Sequence, residues 1–451
     1  MGSTRLIITV SLAIFCVDVD FFALNLALPA TARGLGVTTT DLQWAITVFQ
    51  LTLASLLIPA GRLGDLLGRR RVFLCGIGLF ALASLLCGLS QSATMLVAMR
   101  FLQGAAAALL FPVGIAIISN AFPPETRGKA IGLVYGLGAI GTAIGPFIGG
   151  ALTDAIDWRW VFFFNVPFAV LAFLLALRTV SESRDPTAER VDWPGLATVV
   201  IGVGSVTLAI DRGGTWGWIS AATLGLFVFG LVVLAAFVAI ERRSSCPLVD
   251  LDLFANRPYV TVTLSGGVGN IGTCLMLFLA SIYLQQVRDL TPLEAGTVFL
   301  APALANAAAG VIAGRLGARG TSPQLVMGGA LLAGAAGLAI LAFASAWLGY
   351  VAAFALAGFG LGITWSYTSV GTQQVVAESE AGGASGVTLA IVVGLGGLSV
   401  AVGATLLEVV TKAGSSTTAG IHWQFAALAA LAVAGAIALA LTVRPRRRLA
   451  T

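Results

Sequence analysis

Read for polarity, the chain is a series of long apolar runs separated by short polar breaks. A helix needs about 20 mostly apolar residues to cross the hydrocarbon of a bilayer. On that basis spans are predicted near 6–28, 43–62, 72–90, 94–120, 129–152, 160–178, 194–210 and 219–240. Further spans follow near 259–284, 295–314, 324–344, 347–371, 385–410 and 423–443, fourteen in all. The first run is preceded by a single basic residue, Arg5, carries two aspartates and has no clear small-residue cleavage site. It is therefore expected to be a spanning helix and not a removed signal peptide. The predicted fold class is all-α integral membrane.

Composition agrees with the pattern. Hydrophobic residues make up 58% of the chain and charged residues 10%, against roughly 25% charged in ordinary soluble proteins. The 55 glycines suit helices whose backbones approach closely in lipid. A formal net charge of +5 does not point to nucleic acid, because the basic residues sit in short breaks between apolar runs and not on one face of a domain. Five cysteines, Cys16, Cys75, Cys87, Cys246 and Cys274, show neither metal-ligand spacing nor a disulfide framework. They are read as small apolar filler, and no metal site is expected.

The basic residues also give orientation. With the N-terminus in the cytoplasm, 19 Lys and Arg fall on the inner side, including Arg62, Arg69, Arg70, Arg71, Arg127, Lys129, Arg190 and the Arg444–Arg448 cluster. Five fall outside (Arg33, Arg159, Arg212, Arg288 and Lys412), and Arg100 lies within a span. That bias places both termini inside and requires an even number of spans. A multi-pass protein of the cell (inner) membrane is expected.

An internal repeat divides the chain. Ala60-Gly61-Arg62-Leu63-Gly64 closes the second span and Ala313-Gly314-Arg315-Leu316-Gly317 closes the tenth, both at cytoplasmic ends. Spans 1–6 and 9–14 then form two corresponding halves with spans 7 and 8 inserted. The expected domains are an N-terminal six-helix bundle over 1–180, a linker with the inserted helices over 181–257 and a C-terminal six-helix bundle over 258–451. Parallel repeats of six helices build one major class of secondary transporters, whose substrate site lies near the midplane between the halves.

A charge inside the bilayer is costly and is a functional hypothesis by default. Asp20 lies nine residues before Pro29 and Arg100 nine residues after Gln91, each roughly 13 Å deep at 1.5 Å per residue. The two are placed to meet and to lower each other's cost. Asp18 is turned about 200° from Asp20 around the helix. Glu408, near the outer end of span 13, is either interfacial or a second cation or proton site. Glu294 opens span 10, where an acid suits a helix N-terminus. His422, the lone histidine, is expected in solvent. A carboxylate that alternates between charged and neutral is what a proton-coupled carrier requires, and Asp20 with Arg100 beside it is the first choice.

The break Gly61-Arg62-Leu63-Gly64-Asp65-Leu66-Leu67-Gly68-Arg69-Arg70-Arg71 resembles the cytoplasmic loop of the major facilitator superfamily, placed here between spans 2 and 3. In that family the loop is a gating latch, and the likeness falls on Gly61, Asp65, Gly68 and Arg69. Arg100-Phe101-Leu102-Gln103-Gly104 resembles the fourth-helix motif. The run from Gly141 through Gly145, Pro146 and Gly149 to Gly150 resembles the antiporter motif. There proline removes a backbone bond and the glycines leave a bent helix with a smooth packing face. Trp158-Arg159-Trp160 with Phe163-Phe164-Asn165-Val166-Pro167, and Asp20 through Asn25 to Ala27-Leu28-Pro29, resemble motifs of the drug:proton antiporters with fourteen spans. Phe21 and Phe22 stand where that family usually has a small residue and a threonine.

The resemblance implies export of amphipathic, drug-like compounds by alternating access. The proton gradient supplies the energy, no cofactor is needed, and the expected partners are protons, a small amphipathic substrate and lipid, with the protein a monomer. Dedicated transport of a single metabolite or self-made natural product is the alternative. No Gly-x-x-x-x-Gly-Lys-Ser/Thr loop is present, which argues against an ATP-driven pump. No soluble catalytic domain has room in the chain, so an enzyme is not expected. Polar or aromatic candidates for the substrate site are Phe22, Asn25, Trp44, Gln50, Tyr283, Asn306, Trp365, Tyr367 and Gln373.

Overall fold

The computed structural model describes residues 2–184, 192–244, 247–344, 346–376 and 381–442. Arg190, Cys246 and the Arg444–Arg448 cluster lie outside the described residues, as do the side chains of Arg127 and Lys129. Among the described residues fourteen helices are long and apolar enough to cross a membrane. They are α1 (Thr4–Gly34), α2 (Thr39–Leu67), α3 (Arg69–Gly88), α4 (Ala93–Ala121), α5 (Gly136–Ala155), α6 (Trp160–Thr179) and α7 (Trp193–Ile210). The rest are α8 (Ala221–Glu241), α9 (Arg257–Val287), α10 (Pro292–Gly317), α11 (Pro323–Phe343), α12 (Trp347–Val375), α13 (Ala384–Lys412) and α14 (Thr417–Thr442). One face of the bundle, the terminal face, carries the start of α1 and the α2–α3 junction. The far face carries the α1–α2 and α9–α10 loops.

Polar side chains start these helices by giving the first orphan backbone N–H groups an acceptor. Ser92, Ser220 and Asn256 cap α4, α8 and α9 in this way. At α10, Thr291 Oγ1 accepts from the Glu294 amide (3.2 Å) while Glu294 Oε2 accepts from the Thr291 amide (2.9 Å), a reciprocal capping box. Glu294 therefore has the structural role anticipated for it.

Several spans run further than hydropathy predicts, and two of them do so through residues that usually end a helix. α1 continues through Pro29 to Gly34, because one proline deletes a single backbone bond without forbidding helix beyond it. The segment from Gly61 to Leu67, read above as loop, is the last part of α2. Only Gly68 breaks the helix, at φ 109°, a conformation that costs glycine little. Asp65 thus lies in the last turn of α2 and not in a loop. From there it pairs across the break with Arg69, at 2.8 Å.

Packing repeats along the chain. α1 lies against α5 and α6, α2 against α4, and α3 against α4 and α6. The same set recurs eight spans later: α9 against α13 and α14, α10 against α12, and α11 against α12 and α14. The Ala-Gly-Arg-Leu-Gly repeat sits at the corresponding place in both sets. A Cβ on Gly64 would meet Val113 of α4 at 2.9 Å, and one on Gly317 would meet Val370 of α12 at 2.9 Å. The two sets join through α2 with α13 and α5 with α10, contacts that exchange under the same shift. α7 and α8 pack on each other, α7 also touches α13 and α2, and α8 is the most exposed span.

The α1–α5 contact is made by a glycine stripe. Gly141 faces the Phe15 carbonyl, Gly145 faces Val19 and Phe22, and Gly149 faces the Ala23 backbone. Spaced by four, these residues share one side of α5. A methyl at Gly149 meets backbone that cannot yield, whereas one at Gly136 meets open space. Gly149→Ala should therefore destabilise the protein by about 2 kcal/mol. Gly136→Ala should be neutral or slightly stabilising. Thermal unfolding in detergent compares the two, and equal midpoints would sink this account of the interface.

Candidate functional site

The most unusual group of side chains surrounds Asp20, in the interior of α1. Asp20 and Arg100 are both fully buried and form an ion pair through Oδ2 and Nη1. Arg100 comes from the start of α4, where its Nε also donates to the Ala45 carbonyl of α2 at 2.9 Å. Gln103, one turn further along α4, accepts from Arg100 Nη1 (2.7 Å) and donates to Asp20 Oδ1 (2.8 Å) and Ser84 Oγ of α3 (2.9 Å). Asn165 of α6 donates to the same Oδ1 at 2.9 Å. The carboxylate thus holds together residues from α1, α4 and α6, with α2 and α3 tied in behind.

Aromatic rings close the group. The Arg100 guanidinium lies over the Phe49 ring at 4.3 Å and at 5.9 Å from that of Phe162, an arrangement that favours the cation. Phe49 stacks on Phe21, which meets Phe22 edge to face at 4.8 Å. Phe22 is half-buried, so this row of rings leads from the buried pair to a more open surface.

Other anticipated residues lie elsewhere. Asp18 faces α5 beside Gly138 and Gly141. Glu408 pairs with Lys412 one turn on, at 2.6 Å, at the far end of α13. Asn25 is buried and its amide donates to the Phe21 carbonyl of its own helix at 3.2 Å. Gln50 reaches across to Cys274 Sγ of α9 (3.7 Å) and packs against Gly397 of α13. Tyr283 stacks on Tyr350 at 5.1 Å, with His422 at 5.8 Å. The histidine is thus half-buried against a ring and not free in solvent. Asn306 packs on Gly362, Trp365 is 37% exposed, and Tyr367 is buried with its hydroxyl donating to the Thr321 carbonyl at 2.6 Å. The tyrosine therefore anchors the α10–α11 turn at the terminal face. The aromatic and polar candidates occupy several places and not one pocket.

At the α2–α3 junction, Asp65 and Arg69 are joined by the segment that follows α6. The Arg69 amide donates to the Ser183 carbonyl (2.9 Å), the Arg70 amide to Glu182 Oε1 (3.1 Å), and Arg70 Nη2 to the Leu177 carbonyl in the last turn of α6 (2.9 Å). Arg71 approaches Glu182 at 3.6 Å. Gly61 packs against Pro112 of α4. The partner missed in the sequence is Glu182, one of several acids in a polar stretch with nothing to mark it out.

Removing one member of a buried ion pair leaves an uncompensated charge, whereas replacing both with apolar residues is often tolerated. Arg100→Leu should therefore cost about 3 kcal/mol of stability and the double variant Asp20→Leu/Arg100→Leu distinctly less. Denaturant-induced unfolding in detergent measures both. A double variant at least as unstable as Arg100→Leu would show that the pair is not a coupled unit.

The fold and its sequence have known counterparts. The structure of the POT family transporter PepTSo superposes with a TM-score of 0.71 at 15% identity, covering 97% of each chain. That of a bacterial homolog of the human lysosomal transporter Spinster, inward-facing and occupied, superposes at 0.68 and 14% identity, covering 96% of this chain and 95% of the other. In sequence, the chain is 36% identical to the multidrug resistance protein Stp of Mycobacterium tuberculosis over 71% of its own length and 61% of that relative's. It is 38% identical to the puromycin resistance protein pur8 of Streptomyces alboniger, over 72% and 65%. It is 31% identical to the multidrug efflux pump LfrA of Mycolicibacterium smegmatis, over 95% and 86%. The chain thus spans about three-fifths of the length of the first of these relatives. The model of the Major Facilitator Superfamily matches residues 10–401, from within α1 into α13, and the chain belongs to that superfamily.

Proposed function

We propose that the chain is a secondary transporter that exports amphipathic compounds in exchange for protons by alternating access, with Asp20 as the coupling carboxylate and Arg100 as its modulator. The observation that carries this reading is the ion pair of Asp20 and Arg100, buried within spanning helices and bound to α1, α4 and α6 at once. Relatives named as multidrug resistance and efflux proteins support the direction of transport.

The chemistry follows from charge balance. Ionised Asp20 neutralises Arg100 and accepts from Gln103 and Asn165. A proton on Asp20 cancels that counter-charge and leaves a net cation, which disfavours a cationic ligand nearby. Proton and cationic substrate then exclude each other at one site, which is exchange. The row Phe49, Phe21, Phe22 offers flat apolar surface for an amphipathic substrate.

In this reading residues 1–180 and 258–451 are the two six-helix bodies and 181–257 holds the inserted pair, the repeat in packing being its support. The terminal face is cytoplasmic, in line with the basic residues there, and the protein is a monomer of the inner membrane. Gly61, Asp65, Gly68 and Arg69 act as a cytoplasmic latch, and the glycines of α5 hold α1 close within the first body, with Gly150 facing α10 of the second. No cofactor takes part. A second reading, export of one natural product, is favoured by the 38% identity to a puromycin resistance protein.

The test is transport by the full chain in proteoliposomes with an imposed pH gradient and a panel of lipophilic cations and antibiotics. Gradient-driven export should be lost at least about tenfold in Asp20→Asn, while substrate exchange at equal pH persists. Export that continues unchanged after an ionophore collapses the gradient would end the proton-coupled reading. Activity confined to one compound would favour the second.

A further inference from the structure

Pro29 lies inside α1. A proline has no N–H, so the carbonyl four residues earlier, that of Asn25, receives no bond from its own helix. In hydrocarbon a carbonyl without a donor is expensive. Here the donor comes from the other half of the molecule: Ser281 Oγ of α9, a buried hydroxyl, donates to the Asn25 carbonyl. One turn on, Gln285 Nε2 donates to the next carbonyl of α1, that of Leu26, at 2.9 Å, and to Ser281 Oγ at 3.1 Å. Gln285 sits in a π-helical turn, Tyr283–Val287, that ends α9. Such turns are rare and recur at functional positions.

We infer that Ser281 and Gln285 are the positioning residues of a far-face latch, and that Pro29 creates the acceptor on which it closes. The inference rests on the alternating-access reading, in which the far face is the outer side. Two backbone carbonyls of α1 are held by two side chains spaced by four on α9, one from each proposed half. Opening the outer side breaks both bonds. The Asn25 carbonyl then has no intrahelical bond to fall back on, whereas the Leu26 carbonyl keeps the N–H of Ala30. The two bonds are therefore unequal, and the serine bond gives the outer-closed state its preference. The side chain of Asn25 is already engaged with the Phe21 carbonyl, so the substitutions below leave it in place.

The test uses the full chain in bilayers, with the native cysteines replaced and spin labels on Arg33→Cys and Lys412→Cys, two exposed far-face positions of α1 and α13. Pulsed electron–electron distances give the ratio of outer-open to outer-closed molecules. Ser281→Ala should raise that ratio about fivefold, the worth of one buried hydrogen bond, and Ser281→Thr, which keeps the hydroxyl, should not. Pro29→Ala supplies the missing N–H, so it should shift the ratio in the same direction. Ser281→Ala added to it should then change the ratio by less than about twofold. The shift from Gln285→Ala should instead multiply with that of Pro29→Ala, because it acts on a different carbonyl. No shift in Ser281→Ala, or independent multiplication of Ser281→Ala and Pro29→Ala, overturns the latch. The readout needs neither a pH gradient nor a substrate. Two distances in the unsubstituted labelled chain with none of these shifts would therefore sink the latch and leave alternating access standing.

Discussion

A polar group surrounded by hydrocarbon has no water to bond to, and leaving it without a partner costs several kcal/mol. The backbone answers first, by closing its bonds within helices, and this is why the described residues that cross are helical from end to end. What remains are the few groups a helix cannot serve: an ionised side chain and the carbonyl behind a proline. In this chain those leftovers do not scatter. Asp20 collects donors from two other helices. The carbonyl freed by Pro29 collects one from across the molecule.

Both solutions place polarity where helices meet. The Asp20 group lies within spans α1–α6 and makes them depend on one another, since none of its members is satisfied by its own helix alone. The α1–α9 contact lies between the proposed halves and uses backbone on one side. Glycine does the complementary work of removing bulk: α5 presents bare backbone to α1, and Gly150 and Gly296 bring α5 and α10 into backbone contact. Strong polar ties within a group of spans and smooth or backbone-mediated contacts between groups are the physical conditions for bodies that stay intact while moving past each other.

Much of this was legible in the residues. Long apolar runs locate all fourteen spans because the thickness of hydrocarbon sets a length that loops do not reach. Asp20 and Arg100 stood out since two charges at similar depth have few ways to be tolerated apart. Other features were hidden for definite reasons. Gln103 and Asn165 are uncharged and cheap enough in a bundle to pass as packing, although both fall inside motifs that were noticed. The continuation of α2 through Asp65 was masked by glycines, which mark a turn at Gly68 but sit in helix at Gly61 and Gly64. Tyr367 looked like a midplane aromatic, but its hydroxyl found a carbonyl in a turn. A sequence shows how a residue would like to be satisfied and not which partner the fold brings to it.

The shift of eight spans in the packing has a geometric corollary. The contacts α2–α13 and α5–α10 exchange under it, so the surface joining the two groups is complementary to itself. A single six-span unit bearing that surface would close on a second copy about a two-fold axis normal to the membrane, with its second helix against the fifth helix of its mate. Six crossings return a chain to the side it started from, so two such units can be strung together in parallel. The intervening pair α7 and α8 is the shortest tether made of spans that leaves that parity, and hence the axis, unchanged.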